Sequence, residues 1–248
     1  MVKTEPQSPF SILRKYRPLK KRTKNEKPSM EKIYLKFEDC VFAVPKKDLL
    51  RQGIFATMFA VKPEPGEPVV GLTEDSPLII PDIPEAAFRA FLKVLHPLEI
   101  PPHYDSIHLV EWISILRIAT MWGFKDIRKL AIERMENMPD GCCYMTSLDY
   151  LIHGGECHVR EWFRRGCVAI IDLEEPIDVG PAESMGLEIA IRLCKLREER
   201  LRRGRSFCTE SAVEQEFENE LDIVSKDAQE MEVVILKNYT SRDRGVKS

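Results

Sequence analysis

His153 and Cys157 are the residues of this chain whose types and spacing best fit metal-ligand chemistry. Residues four apart lie on one face of a helix, and Zn²⁺ is bound by imidazole and thiolate groups in tetrahedral sites. His158 is the next residue, and Cys142 and Cys143 lie just upstream. One hypothesis is therefore a metal-dependent enzyme built on His153, Cys157 and either Cys142 or Cys143.

Two observations weigh against that zinc site. Gly154-Gly155 separates the two candidate ligands and argues against a continuous helix, and no Cys-x-x-Cys pair completes a tetrahedral set. Free cysteine also behaves as a small hydrophobic side chain. We therefore favour Cys143, Cys157 and Cys167 as packing residues.

Other catalytic signatures are weak in this sequence. Ser29 and Lys32 have the spacing of one serine-nucleophile motif, but no other element of that motif accompanies them. The twelve glycines are dispersed and build neither GxxxxGK nor GxGxxG, so no phosphate-binding loop is predicted. We expect a protein that is not an enzyme and has no cofactor.

The cysteine count and the hydropathy of the chain indicate in which cellular compartment the protein is expected. Seven cysteines, an odd number without regular spacing, fit a reducing compartment better than a disulfide framework. No apolar run is long enough to cross a bilayer, and the basic N-terminus has no apolar signal segment. The expected location is cytoplasmic, nuclear or both, without secretion.

The charge is distributed unevenly. The first 32 residues carry ten Lys and Arg against three Asp and Glu, whereas the whole chain has a net charge of −3. Residues 1–29 are predicted to be a disordered basic arm, because they contain too little apolar surface to fold. The functional interpretation of Lys20, Lys21, Arg22 and Lys24 is nuclear import or phosphate contact, and the alternative is a solvated tail.

Residues 30–139 predict a small sheet followed by helices, which is an α+β arrangement. Alternating strand formers predict a hairpin, two short helices follow Pro45, and apolar residues at helical spacing predict three further helices. The predicted elements are strands Ile33–Phe37, Val41–Val44 and Leu78–Ile80, and helices Lys46–Gln52, Ile54–Ala60, 84–95, Leu109–Trp122 and Phe124–Met138.

The same periodicity predicts which side chains are buried. The predicted core residues are Phe42, Leu49, Phe55, Met58, Phe59, Phe88, Phe91, Leu95 and Leu116. Exposed neighbours of the two short helices, Lys46, Lys47 and Arg51, are the better candidates for partner contact.

Residues 140–204 predict a helical appendage with no strand. Its predicted helices are Ser147–His153, Val159–Leu173 and Ala182–Arg203. One apolar face of the last helix is predicted to group Ile189, Leu193 and Leu196 with Cys194. Residues 205–248 are predicted to be an acidic, partly helical tail, in which the residues of one apolar face are Val213, Phe217, Leu221 and Val224. That face could dock on a partner or on the basic arm, and we slightly favour a solvated tail.

The predicted order of hairpin, two short helices, third strand and helical pile resembles a BTB/POZ domain. The stretch VFAVPKKDLLRQGIFATMF (residues 41–59) carries the resemblance, and LRIATMWGFKDIRKLAIERM (116–135) looks like the last helical pair of that family. Four further stretches resemble a large BTB group of mushroom-forming fungi. They are FLKVLHPLEIPP (91–102), EWISILRIATMW (111–122), REWFRRGCVAII (160–171) and GLEIAIRLCKLREER (186–200). The resemblance covers residues 30–204.

This resemblance implies a BTB/POZ-like fold, followed here by an all-helical appendage, that acts by protein–protein binding. The family implies homodimers, and in some members it implies a cullin scaffold and substrate recruitment to a ubiquitin ligase. The chain departs from the family at Pro45, which replaces the usual His, and no exchanged N-terminal strand and helix is evident in residues 1–29. Leu109 and Glu111 belong to the candidate cullin-contact element, Leu109-Val110-Glu111.

The leading prediction is therefore an intracellular adaptor or scaffold that associates, weakly, with itself. The alternatives are a substrate adaptor of a cullin ubiquitin ligase and a nuclear, chromatin-associated transcription regulator that uses the basic arm.

The nuclear alternative predicts that the arm binds duplex DNA. Binding by several Lys and Arg side chains should weaken steeply as salt rises, because each phosphate contact releases counterions. Fluorescence anisotropy with labelled duplex DNA at low salt would compare the full chain with a form that lacks residues 1–29. Equal affinity of the two forms would contradict this alternative.

Overall fold

A computed structural model describes residues 31–51, 53–60, 70–97, 102–138 and 145–225, without the side chains of residues 56, 57 and 60. All of these residues belong to the compact unit that begins at Glu31. The basic-arm residues Lys20, Lys21, Arg22 and Lys24 lie outside the described residues.

The sheet has three strands in the order β2-β1-β3. Strands β1 (Lys32–Phe37) and β2 (Cys40–Pro45) form the predicted antiparallel hairpin. Strand β3 (Leu78–Ile79) pairs with β1 in parallel. The mixed sheet and the surrounding helices confirm the predicted α+β class.

Five helices complete the first part of the described chain. They are α1 (Lys46–Leu49), α2 (Ile54–Ala60), α3 (Glu85–Leu95), α4 (Leu109–Trp122) and α5 (Lys125–Glu136). Alternate residues of β1 turn one face of the sheet toward these helices, and Ile33, Leu35 and Phe37 are fully buried there.

Aromatic rings dominate this first core. Phe37 of β1 stacks on Phe88 of α3 with ring centroids 4.1 Å apart. The ring of Trp122, at the end of α4, meets Phe55 edge-on at 5.0 Å and Phe91 at 5.5 Å. The rings therefore connect the sheet with α2, α3 and α4 through packed contacts.

The second part of the described chain is helical. Its helices are α6 (Ser147–Glu156), α7 (Arg160–Asp172), α8 (Val179–Met185), α9 (Leu187–Arg203), α10 (Thr209–Glu216) and α11 (Glu218–Ser225). The predicted single helix Ala182–Arg203 is wrong, because Gly186 has a φ of +89° and separates α8 from α9.

Residues 209–225 differ from the solvated tail that the acidic composition favoured. Val213, Phe217 and Leu221 are fully buried in a second core, beside residues of α7 and α9 such as Phe163 and Leu193. The acidic side chains lie on the other faces of α10 and α11. The predicted boundary at residue 204 therefore falls inside a packed set of helices.

Arg192 of α9 joins the second core to α10 and α11. Its Nε donates to Glu216 Oε1 at 3.0 Å, its Nη1 contacts Glu220 Oε1, and its guanidinium lies 4.2 Å from the ring centroid of Phe217. An arginine that is paired with carboxylates and stacked on a ring in this way is poorly replaced by lysine.

Helices α6 and α7 cross at unusually close range through two glycines. A Cβ at Gly154 would lie 2.2 Å from the backbone N of Phe163, and one at Gly166 would lie 2.4 Å from the backbone N of Leu151. The argument that Gly154-Gly155 interrupts the helix is therefore wrong, because α6 continues to Glu156. Gly154 permits an antiparallel backbone contact that a larger residue would block.

The length and hydropathy of each helix decide whether it could cross a membrane. Among the residues that the structure describes, no helix combines the length and the apolar character that crossing a bilayer requires.

The α6–α7 contact predicts that Gly154→Ala destabilises the fold. The added methyl group meets backbone atoms of Phe163, which cannot move aside as a flexible side chain would, so we expect a loss of about 1–3 kcal/mol of unfolding free energy. Urea denaturation followed by circular dichroism measures the change.

Gly155→Ala is the matched control for that substitution. Its Cβ would lie 3.6 Å from the ring of Phe163, which is ordinary contact, and alanine favours a helix over glycine by about 1 kcal/mol. We expect unchanged or slightly higher stability. Equal effects of the two substitutions would contradict the close-contact explanation.

Candidate interaction surface

The predicted contact residues of the folded part lie around the C-terminal end of α3. We define the α3 corner as α1 with Arg51, residues 93–97, the segment 102–108 and the first turn of α4. His96 Nδ1 lies 3.5 Å from Asp48 Oδ2, which connects α3 to α1. Lys93 Nζ lies 2.5 Å from Glu111 Oε1, which connects α3 to α4. The corner therefore joins elements that are far apart in the sequence.

Glu111 organises the start of α4. It accepts a hydrogen bond from the backbone N–H of His108 at 3.1 Å and a second one from Lys93. Burial acts to raise the pKa of Glu111, but these hydrogen bonds outweigh burial and hold the pKa below its usual value. A carboxylate at this position also interacts favourably with the helix dipole. Both hydrogen bonds occupy the Glu111 carboxylate within its own chain, so it is not available to a partner without breaking them.

Val110 is the exposed apolar residue of this corner. Its exposed fraction is 74%, whereas its neighbour Leu109 is half-buried against the first core. A single exposed valine is common on protein surfaces. At this position it lies between a residue that packs inward and a carboxylate that is already paired. The part of Leu109-Val110-Glu111 that is open to a partner is therefore the side chain of Val110.

A cleft of about 440 Å³ lies in the corner, and it is lined by Lys93, Pro97, His103, Tyr104, Asp105, Ser106 and Ile107. The ring of Tyr104 meets Trp112 edge-on with centroids 5.8 Å apart. Because Trp112 is buried in the first core, this contact fixes one wall of the cleft. The lining offers an ammonium group, an imidazole, a carboxylate and the hydroxyl groups of Ser106 and Tyr104 beside the apolar side chains of Pro97 and Ile107.

The predicted cationic contact residues have different surroundings. Lys46 forms an ion pair with Glu31 at 2.7 Å and is half-buried. Lys47 and Arg51 are exposed. The two exposed cations can contact a partner without breaking an ion pair among the described residues, whereas contact through Lys46 would compete with Glu31.

The predicted core residues are buried to different degrees. Leu49, Phe55, Phe88, Phe91 and Leu116 are almost completely buried. The half-buried residues that pack against them are Phe42, Met58, Phe59 and Leu95. Phe42 is partly covered by Arg89, whose guanidinium lies 5.0 Å from its ring centroid.

Two of the candidate zinc ligands, His153 and Cys157, lie next to side chains of α4 and α5. His153 Nδ1 lies 3.2 Å from Glu156 Oε2, and this carboxylate also accepts from Arg117 Nη2 at 2.5 Å. Cys157 is fully buried, and burial raises the pKa of its thiol to about 12. Described residues contain no group of three His, Cys, Asp or Glu arranged to hold a metal ion. Cys142 and Cys143 lie outside them.

The other thiols with a resolved pKa shift lack the activation that a nucleophile needs. Burial raises the pKa of the Cys167 thiol to about 12. The pKa of Cys40 is also raised, chiefly by its hydrogen bond to the carboxylate of Glu85. Catalytic cysteines have lowered pKa values because the thiolate is the reactive form. None of these three thiols is therefore activated as a nucleophile.

Polar contacts of three side chains, those of Arg117, Arg128 and Trp162, connect α4 and α5 with the helices after residue 145. Arg117 of α4 reaches Glu156 of α6, and Arg128 of α5 donates to the carbonyl oxygens of Cys157 at 3.1 Å and His158 at 2.7 Å. Trp162 Nε1 of α7 donates to Glu136 at 3.0 Å. The helices after residue 145 are thus joined to the first core by side chains of α4 and α5.

Sequence reasoning did not select Lys93 or the cleft, and it named Val110 only within its element. The sequence predicts Lys93 as an exposed helix residue. Its pairing with Glu111 depends on how α3 and α4 meet. Val110 had a local signal, because it is apolar and lies off the stripe that faces inward in α4.

Comparisons with protein-family models, with curated proteins and with solved structures gave no match. The function is therefore inferred from the geometry of the surface and from the resemblance described above.

The contacts of Glu111 predict a pH-dependent loss of stability for Glu111→Gln. Because the folded pKa of this carboxyl is lowered, its stabilisation is present above the unfolded pKa and is lost as pH falls through the folded pKa. We expect a loss of about 0.5–1 kcal/mol near pH 7 that shrinks only as pH falls below about 4.5. Urea denaturation of both proteins at each pH measures the difference.

Glu133→Gln is the control, because Glu133 is exposed and lies 3.8 Å from its nearest cation, Lys129. We expect a smaller loss for this substitution near pH 7. A Glu111→Gln loss that stays constant with pH would show that shape, not ionisation, stabilises the start of α4.

Proposed function

We propose that this protein is a non-catalytic adaptor or scaffold that binds other proteins through a BTB-type domain. The observation that carries the proposal is the pairing of Lys93, which lines the cleft, with Glu111, which is adjacent to the 74%-exposed Val110. An exposed apolar side chain next to a paired cation and carboxylate suits a protein interface, where a small apolar centre is ringed by polar contacts. Lys47 and Arg51 supply cations at the same corner.

The order of elements supports the BTB-type assignment. An antiparallel hairpin leads into two short helices, the third strand joins β1 in parallel, and α3, α4 and α5 follow in the chain. This is the order that the resemblance implies. The raised pKa values of the Cys40, Cys157 and Cys167 thiols disfavour thiolate chemistry at these three positions.

A cullin scaffold and a second copy of the chain are the partners we propose. The cullin is favoured by the location of Val110 within Leu109-Val110-Glu111. Because Glu111 is held by Lys93 and by the His108 backbone, Val110 and the cleft provide the contact in this proposal. The proposed adaptor acts in the cytoplasm, in the nucleus or in both.

Val110→Glu is the substitution that tests this function. The new carboxylate would have to be desolvated beside an apolar contact, so partners of the corner should be recovered at least about ten-fold less. The experiment is quantitative affinity purification of the full chain from cells, followed by binding to a purified N-terminal cullin domain.

Val179→Glu is the matched control, since Val179 is 73% exposed and lies outside the corner. We expect Val179→Glu to retain the partners that Val110→Glu loses. If both variants and the unaltered chain recover the same proteins in the same amounts, the corner is not the binding surface and the proposal fails.

A further inference from the structure

Helix α9 has two apolar sides, although a surface helix usually buries one. One side belongs to the second core and contains Ala190, Leu193 and Leu196. On a second side, centred about 120° around the helix from the first, Leu187 is 70% exposed, Ile191 is 47% exposed and Leu201 is 80% exposed. Cys194, which the sequence grouped with the buried side, is exposed there too. The second side therefore lacks a cover in this chain's described structure.

The spacing of the exposed side follows a coiled-coil seam. Residues 187, 191, 194, 198 and 201 are separated by four, three, four and three positions. At about 100° per residue they fall within roughly 80° of one another around the helix, over about 21 Å of its length. Alternating steps of three and four are the a and d positions through which one helix packs along another. Glu198 is the one polar member of this seam.

Charges beside the seam are self-complementary. Glu188, Lys195 and Arg202 recur every seven residues along one edge, and the side chains of Glu188 and Arg202 are 87% and 75% exposed. In an antiparallel pair of α9 helices with a twofold axis near residue 195, Glu188 of each copy faces Arg202 of the other. Lys195 then faces Lys195 of the other copy at the axis, and Glu198 of each copy lies within one turn of this pair. In a parallel pair this edge of one helix would instead face the opposite edge of the other, so Glu188 and Arg202 would not meet.

We propose that α9 is a self-association surface, which pairs antiparallel with α9 of a second copy about a twofold axis near residue 195. The contact is isologous, so each favourable charge pair occurs twice. Cys194 of each copy lies next to the axis. The surface is separate from the α3 corner, and the proposal rests on the proposed function only in taking a second copy of the chain as a partner.

A charge-exchange experiment on the full chain tests this surface. Glu188→Arg alone, or Arg202→Glu alone, creates two like-charge contacts in the pair. We expect each to weaken dimerisation by about ten-fold in sedimentation equilibrium. The double variant restores opposite charges across the axis and should return to within about three-fold of the unaltered chain. Failure of the double variant to recover would overturn the antiparallel pairing.

Two further variants separate this surface from the α3 corner. Leu201→Glu places a charge in the seam at an exposed position, so it should abolish the dimer and leave the circular dichroism spectrum unchanged. Val110→Glu should leave the dimer unchanged. A full chain that stays monomeric at the highest usable concentration would overturn the α9 proposal. So would a dimer that resists Leu201→Glu, or one that only Val110→Glu disrupts.

Crosslinking at Cys194 provides an independent readout. A short bismaleimide should couple two copies of the full chain through Cys194, because the two thiols lie on either side of the axis. Cys194→Ser should remove the crosslinked dimer, and Cys208→Ser, which alters another exposed cysteine, should retain it. A crosslinked dimer that persists in Cys194→Ser and disappears in Cys208→Ser would overturn the proposed axis.

Discussion

The close antiparallel crossing of α6 and α7 is the constraint on which both cores depend. Around this crossing, Cys157 and Trp162 belong to the first core, whereas Leu151 and Phe163 belong to the second. Trp162 and Phe163 are adjacent in sequence, so the position of α7 sets both cores at once. Because backbone atoms touch at the crossing, helix separation is fixed more sharply there than by interlocking side chains.

Much of the fold was predictable where one local rule applied. Periodic apolar residues predicted α3, α4 and α5 closely, and alternation predicted the hairpin. Gly154 and Gly186 show where local rules fail. Gly154 was interpreted as an interruption of a helix and Gly186 as part of a continuous one, yet the first lies within a helix at a close contact and the second separates two helices. Only the neighbouring helix distinguishes these two uses of glycine.

The candidate surface was also predictable only where a local sequence pattern determines exposure. Exposure of Lys47 and Arg51 followed from their positions beside apolar neighbours on short helices. The pairing of Lys93 with Glu111, and the cleft beside it, depends on where the end of α3 meets the start of α4. Lys93 and Glu111 are eighteen residues apart, so local sequence patterns give no sign of their contact. The face of Cys194 was also misassigned, because α9 is apolar on two sides and periodicity alone does not say which side faces the core.

The burial of α10 and α11 gives a second possible reason why a truncated chain without them would fail in a binding assay. These helices are rich in acidic residues, yet Val213, Phe217 and Leu221 cover the apolar sides of α7 and α9. A fragment that ends at residue 204 would leave that apolar groove open to water and would remove the partners of Arg192. Such a fragment could fail to bind a protein because it aggregates or is retained by chaperones, even if its binding surface is intact.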